Sequence, residues 1–396
     1  MIKRELYMKQ VRPFIRKDIV KVLTGIRRCG KSVMLKLIQE ELKETGISES
    51  QFISINFESK ALDFIKNQED TYAYIKKFAK NHSDKIYLFL DEVQVLDKWE
   101  ELVNACMIDF DCDIYITGSN AKLLSGELAT YLAGRYIQIQ MYPFSFQEVM
   151  LSSPDADKKK LFQEYLRWGG MPFLYQYPMD ETAKRQYLSD IYDSIMLKDV
   201  VTRNHIRDTE QFERILYYLI ANVGNTFSAG NISKYMKSEF RNISNETMYN
   251  YIDYCQKACL LHFVSRMDLQ GKNLLKFQEK IYLTDHGIRE AIYGNNQRDI
   301  EHILENIVYM ELLRRGYQVT IGKMKDLEVD FVGEKDGRKE YYQVCYLLAS
   351  DETIEREFRS LREIQDNYPK YVISMDEFDF SQDGYQHLNL LNFLLT

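Results

Sequence analysis

The sequence predicts an α/β fold built on a parallel sheet, and three observations carry that prediction. Apolar, β-branched runs IVKVLTG (19–25), QFISINFES (51–59), KIYLFLDEVQ (85–94), CDIYITGSN (112–120) and RYIQIQMYPFSF (135–146) alternate with helical stretches, as in successive β-α-β units. The first run ends in GIRRCGKS (25–32), which fits G-x-x-x-x-G-K-[ST] at every constrained position. The third ends in two adjacent acids, Asp91 and Glu92.

Strand, glycine loop and helix follow in order around the first motif. Gly25 and Gly30 permit backbone geometry that a side chain would block, so successive N–H groups can converge on phosphate oxygens, and the helix that follows adds its positive end. Gly25, Ile26, Arg27, Arg28, Cys29, Gly30, Lys31, Ser32 and Val33 are therefore the expected nucleotide-binding stretch. Lys31 would reach the β- and γ-phosphates, and the Ser32 hydroxyl would ligate Mg2+, which prefers oxygen donors. SVMLKLIQEEL (32–42) sets Val33, Leu35, Leu37, Ile38 and Leu42 mostly along one helical stripe. Cys29, near a helix N-terminus and Lys31, is expected to be a reactive thiol whose alkylation blocks ATP binding.

The strand at 85–94 supplies the remaining metal and water chemistry. Asp91 would hold Mg2+ through its water shell, and Glu92 would act as general base on the attacking water. A base beside the metal ligand argues for hydrolysis. The next strand ends in Thr117, Gly118, Ser119 and Asn120, polar groups placed to sense a γ-phosphate or the lytic water, or simply to make a turn. Arg135, in LAGR, is a candidate arginine finger acting within the chain or across a subunit interface, the alternative being an arginine bound to a nearby carboxylate.

Taken together, GIRRCGKS, LDEVQ, TGSN, LAGR and YPFSFQE resemble the prokaryotic AAA-type P-loop ATPases that carry a C-terminal domain of unknown function. The resemblance covers essentially the whole chain, continuing through WGGMP (168–172), LKDVVTRN (197–204), YLTDHGI (282–288), ENIVYMELLRRGY (305–317), EVDFV (328–332) and YYQVCY (341–346). It implies a P-loop NTPase parallel sheet that binds ATP with Mg2+ and hydrolyses it.

With 396 residues, 45% of them hydrophobic and 28% charged, the chain has room for two to four domains. No apolar run is long enough to cross a bilayer and MIKRELYMKQ lacks the apolar core of a signal peptide, so a soluble, cytoplasmic protein without a membrane partner is expected. The six cysteines form no CxxC pair, and Cys255 with Cys259 reads as one helix face rather than half a metal site. A net charge of −7 means that any nucleic-acid contact must come from a local basic face.

Four segments follow from these patterns: a P-loop ATPase core at 1–143, a helical lid or linker at 144–207, a winged-helix-like region at 208–299 and a restriction-endonuclease-like α/β domain at 300–396. In the second, Lys198, Asp199 and Arg203 are local ion pairs or nucleotide-state sensors. In the third, Ser244 can cap a helix bearing Asn245, Tyr249, Asn250 and Lys257, which would read DNA or meet a protein. Lys272, Lys276 and Lys280 in its hairpin could contact phosphates. In the fourth, Glu305, Glu328 and Asp330 match the spacing of an acidic nuclease site, but Gln343 and Cys345 stand where D…[DE]-x-K chemistry needs an acid and a lysine. The domain therefore reads as a degenerate nuclease fold kept for binding or packing.

The expected function is an ATP hydrolase whose nucleotide state switches the arrangement of its C-terminal domains on DNA or a protein partner, with a nucleotide-dependent oligomer as a further expectation. The alternatives are an ATP-gated nucleic-acid enzyme with a cryptic nuclease, and a non-hydrolysing signalling scaffold.

Overall fold

The computed structural model describes residues 2–62, 64–118, 132, 134–238, 243–271, 274–294 and 296–396. The chain packs as two compact units, Met1–Tyr142 with Lys257–Cys259, and Pro143–Gln256 with Leu260–Thr396.

The first unit opens with helix α1 (Glu5–Val11), then alternates β1 (Val20–Gly25), α2 (Lys31–Glu44), β2 (Phe52–Asn56), α3 (Gln68–Ala79), β3 (Ile86–Asp91), α4 (Trp99–Asp109), β4 (Cys112–Gly118) and β5 (Tyr136–Met141). All five strands are parallel, in the order β2-β3-β4-β1-β5. A parallel sheet covered on both faces demands apolar side chains at nearly every position, and β1, β3 and β4 are buried throughout. Val20, Val22, Leu88, Leu90, Ile114 and Ile116 join residues of α4 in one core. The interior also holds Lys21 paired with Asp113, both completely buried, with Tyr115 donating a second hydrogen bond to the carboxylate.

Two strands end earlier than their apolar patterns suggest. The fifth stops at Met141, because Ser145 and Glu148 form a reciprocal capping box that turns FSFQE into the start of a helix, α5 (Phe146–Ser152). The third stops at Asp91, and Glu92 takes a left-handed conformation with φ +53°. The register sets Asn56 beside Asp91 and Thr24 beside Gly118. The carboxyl ends of the strands thus share one edge, where open α/β sheets bind their ligands.

The second unit continues with α6 (Lys158–Trp168), α7 (Glu181–Ser194), a π-helical turn at Ile195–Thr202, α8 (Thr209–Ala221), α9 (Ala229–Ser238) and α10 (Asn245–Lys257). Next come β6 (Leu261–Asp268), β7 (Leu274–Leu283), α11 (His286–Ile292), α12 (Ile300–Arg314), β8 (Gln318–Met324), β9 (Leu327–Lys335) and β10 (Arg338–Val344). The chain closes with α13 (Asp351–Arg362), β11 (Lys370–Ser374), β12 (Gln386–Asn389) and α14 (Leu390–Phe393). One mixed sheet runs β12-β11-β10-β9-β8-β6-β7, so the hairpin at 261–283 belongs to the same sheet as the strands of the 300–396 segment.

The WGG and TDHG motifs form a clasp inside this unit. Buried Asp285 accepts the N–H groups of Gly170 at 2.8 Å and Gly287 at 2.9 Å, while Gly170 O accepts Phe144 N–H at 2.7 Å. A Cβ at Gly287 would lie 1.9 Å from Trp168 O, so only glycine allows this approach. His286 Nε2 meets Tyr165 O at 2.7 Å, and Arg314 donates to the carbonyls of Pro143 and Phe144. In the π-helical turn Arg203 lies 4.0 Å from buried Asp199, one turn away on the same segment. All six cysteines are free and buried. No helix among the described residues is long and apolar enough to cross a membrane.

Candidate functional site

The loop between β1 and α2 is fixed from both sides. Gly25 has φ +147°, and a Cβ there would lie 2.2 Å from Met141 O on the neighbouring strand, so the strand can turn into the loop only at glycine. Arg28 and Gly30 also have positive φ, and Gly30 is the N-cap of α2. Lys31 is buried, its ammonium donating to Gly25 O at 3.0 Å and Ile26 O at 3.2 Å, which holds it over the loop. Ser32 and Val33 are exposed at the start of α2, Arg28 is exposed, and Arg27 lies 3.9 Å from Glu58. Ile26 is fully buried beneath the loop.

Cys29 departs from expectation. Its side chain is completely buried, and its sulfur lies 3.0 Å from where a Cβ on Gly25 would stand. The loop folds the thiol inward, so the accessible, reactive group expected from sequence is absent from the surface.

Asp91 is the hub of the polar site. Its Oδ1 accepts Ser32 Oγ at 3.1 Å and the Thr117 hydroxyl, and its Oδ2 accepts Asn56 Nδ2 at 2.8 Å. Thr117 also accepts the Glu92 N–H at 3.0 Å. Thr117 is completely buried, and its hydroxyl links the Asp91 carboxylate to the Glu92 backbone N–H. Ser119 and Asn120 lie outside the described residues. The Glu92 carboxylate receives Gln94 Nε2. Asn56 and Gln94 were not singled out in the sequence; Asn56 was detectable only through its strand register with Asp91.

The pair Ser32 and Asp91 fits Mg2+: two hard oxygens 3.1 Å apart, one on an exposed helix start, suit an ion that keeps most of its water shell and needs few protein ligands. Among the described residues no group of three or more His, Cys, Asp or Glu side chains has the geometry of a metal cage.

Arg135 does not join this cluster. It precedes β5, whose register places Tyr136 beside Val20 and Met141 beside Gly25. Six residue steps, or about 20 Å at the usual rise, therefore separate Arg135 from Met141 at the loop edge of the sheet. Its Nη2 donates to Asn104 Oδ1 at 2.8 Å, an amide rather than the carboxylate considered from sequence. This position sets Arg135 away from the phosphate loop of its own chain.

The acids of the C-terminal segment do converge, around a cation that the sequence reading placed elsewhere. Lys280, expected as a solvent-facing lysine of the hairpin, is buried, with its ammonium 2.9 Å from Glu328, 3.0 Å from Glu305 and 3.5 Å from Asp330. Arg266 adds a 2.7 Å pair to Glu328. Glu305 also accepts the Tyr282 hydroxyl at 2.9 Å, and its neighbour Asn306 exchanges hydrogen bonds with the backbone N–H and C=O of Leu283. Burial would lower the Lys280 pKa, but the three carboxylates outweigh it and hold it raised. Burial and the Glu305 charge push Asp330 up to about 7. Gln343 bridges strand and helix, receiving Asp330 N–H at 3.4 Å and donating to Glu357 at 3.1 Å. The Cys345 thiol is buried and its pKa raised by burial. Lys272 and Lys276 have side chains outside the described set.

An AAA domain family matches residues 17–150, and a domain of unknown function matches 159–299. An uncharacterized protein of Haemophilus influenzae is 37% identical over 100% of this chain and 99% of its own length. An uncharacterized protein of Methanocaldococcus jannaschii is 29% identical over 94% of this chain and 84% of its own. A Walker-type ATPase of Pyrococcus abyssi aligns in structure with a TM-score of 0.50 and 15% identity, covering 74% of this chain and 95% of that one, a likeness of fold.

Proposed function

We propose that this chain, which belongs to one family with its Haemophilus influenzae relative and carries an AAA domain, binds ATP on the 25–33 loop and hydrolyses it. The observation that carries the reading is the chain of contacts from Ser32 through Asp91 and Thr117 to Glu92, which joins a phosphate loop to an acid pair. Lys31 and the loop N–H groups bind the phosphates. Ser32 and Asp91 hold Mg2+, which supplies charge neutralisation at the transferring phosphoryl group. Glu92 takes the proton of the attacking water, and its left-handed backbone is the kind of local strain found at reacting groups. Steady ATP turnover that Lys31→Ala abolishes through binding, and Glu92→Gln abolishes with binding intact, tests the assignment.

Arg135 acts, in this reading, on a neighbouring subunit, because its own loop lies at the opposite edge of the sheet. That supports a nucleotide-dependent oligomer.

The four segments, 1–143, 144–207, 208–299 and 300–396, remain part of the proposal. Three helices followed by a hairpin, α8 to β7, support a winged-helix reading, and α10 exposes Asn245, Tyr249 and Asn250. A polar helix face with little positive charge suits a protein surface as well as a DNA groove, so nucleotide state would be coupled to either partner. The C-terminal sheet is proposed as a degenerate endonuclease-like fold: Gln343 and Cys345 lack the needed chemistry, and an ammonium occupies the centre of its acids. ATP turnover measured with single-stranded DNA, duplex DNA and none separates a DNA-coupled hydrolase from the other readings.

A further inference from the structure

The phosphate loop is held from outside by a residue of the N-terminal helix. Arg4 is only 4% exposed, its Nη1 donates to Cys29 O at 2.7 Å, and its Nη2 donates to Tyr142 O at 2.9 Å. The guanidinium lies 4.6 Å from the Tyr7 ring centroid, and the Tyr7 hydroxyl accepts Tyr142 N–H at 3.0 Å. Arg4 thus ties the middle of the loop to the segment just past β5, and Tyr7 holds that segment as well.

The peptide between Cys29 and Gly30 is trans, so its C=O and N–H point in opposite directions from one plane. Fixing Cys29 O on the guanidinium therefore fixes the opposite bearing of the Gly30 N–H. The same guanidinium lies 3.5 Å from where a Cβ on Gly30 would stand, alongside the residue that begins α2. A loop amide that could otherwise rotate is set in advance, which removes part of the ordering cost of binding an anion.

We propose that Arg4 is a positioning residue for the phosphate loop, acting through the Cys29–Gly30 peptide to orient one of the N–H groups that receive the nucleotide phosphates. The inference rests on the nucleotide-binding reading above. An oriented N–H contributes equally to ground-state and transition-state binding, so its loss raises KM and leaves kcat nearly unchanged. A helix staple with no role in the loop would instead lower thermal stability without moving KM.

The test compares full-length Arg4→Met, Arg4→Lys, Tyr7→Phe and Lys31→Ala with the parent, measuring Mg-ADP affinity, KM and kcat for ATP, and thermal unfolding. Arg4→Met is expected to weaken Mg-ADP binding and raise KM about tenfold or more, the size of a lost charge-assisted hydrogen bond. Arg4→Lys, with a smaller donor head, should fall between. Tyr7→Phe removes the hydroxyl that accepts Tyr142 N–H and leaves the Arg4 bond to Cys29 O and the ring beside the guanidinium in place, and should keep the parent KM. Should Arg4→Met not fold, Arg4→Lys decides. A parent-like KM in Arg4→Met or Arg4→Lys, or a loss confined to kcat, overturns the proposal. Parent-like nucleotide binding in Lys31→Ala would overturn the loop reading itself, a failure distinguishable from that of Arg4.

Discussion

Ser32 Oγ donates to Asp91 Oδ1 at 3.1 Å across 59 residues of chain. That contact joins the phosphate loop to the acid pair, and it gives the three loop and strand variants different signatures. Lys31→Ala should lose nucleotide affinity, Asp91→Asn should weaken Mg2+-dependent binding and hydrolysis together, and Glu92→Gln should keep binding while turnover falls by about 100-fold or more. Titrations with a fluorescent ADP beside steady-state turnover read all three. Equal turnover in Glu92→Gln and the parent would remove Glu92 from the mechanism.

Thr117 gives a sharper test of geometry. Its hydroxyl bonds Asp91 and the Glu92 N–H, and its side chain is fully buried, so Thr117→Val keeps the shape and deletes the link. Turnover should drop about tenfold with Mg-ATP affinity held within about threefold, the pattern of misoriented acids. A selective loss of affinity for ATP over ADP would instead support the phosphate-sensing role.

Arg135 lies at the edge of the sheet opposite its own loop. If it completes a neighbour's site, Arg135→Ala should bind nucleotide normally and hydrolyse it about 10³-fold more slowly, the usual scale for a missing arginine finger. Turnover per subunit in the parent should also rise with protein concentration. Mixing Arg135→Ala with Lys31→Ala should recover activity, since each supplies what the other lacks; a mixture as inactive as its components leaves Arg135 as the partner of Asn104 alone.

Lys280 is the sole ammonium that touches Glu305, Glu328 and Asp330 among the described ion pairs. Lys280→Met keeps the stem and removes the charge, stranding buried carboxylates. Destabilisation of about 3–5 kcal/mol is expected in urea unfolding followed on the second unit. Adding Glu305→Gln should return part of it. A loss under 1 kcal/mol would show that the carboxylates relax into solvent.

How far these features could be read from sequence depended on what kind of constraint fixed them. Gly25, Lys31, Ser32, Asp91 and Glu92 carry chemistry that needs particular residue types at fixed spacing, so local pattern sufficed. Arg4 and Asn56 are ordinary polar residues whose importance comes from strand register and helix packing, which no short window contains, whereas Gln94 meets Glu92 through a local turn with no residue-type signature of its own. Lys280 illustrates the reverse error. A lysine in a hairpin ordinarily points to solvent, but β7 lies in a seven-stranded sheet against α12, and that side of the strand faces acids. The strand ends were overread for a similar reason: FSFQE is apolar enough for a strand, yet the Ser145–Glu148 capping box decides for a helix.

The pH dependence of the second unit's stability should be set by buried histidines and aspartates that act in opposite directions. Burial pushes His262 and His286 down to about 4, so the unfolded chain takes up protons from pH 6.5 downward while the folded one does not. Their contribution is complete above pH 6.5 and is lost as pH falls toward 4, at about 1.4 kcal/mol per histidine per pH unit. His387 is shifted in the same direction. Asp285 opposes them: burial raises it to about 6, so its contribution is complete below its ordinary value near 3.8 and is lost as pH rises through 6. Asp330, raised to about 7 by burial and the Glu305 charge, opposes them in the same way, so between pH 6 and 4 the two histidines and the two aspartates offset and the parent's urea midpoint should stay nearly level. His286→Gln, whose amide can still donate to Tyr165 O, should make the midpoint rise as pH falls, because the aspartates then outnumber the remaining histidine. Asp285→Asn should make it fall, because one compensating proton uptake is gone. Parallel pH profiles in the parent and both variants would show that folding does not shift these groups.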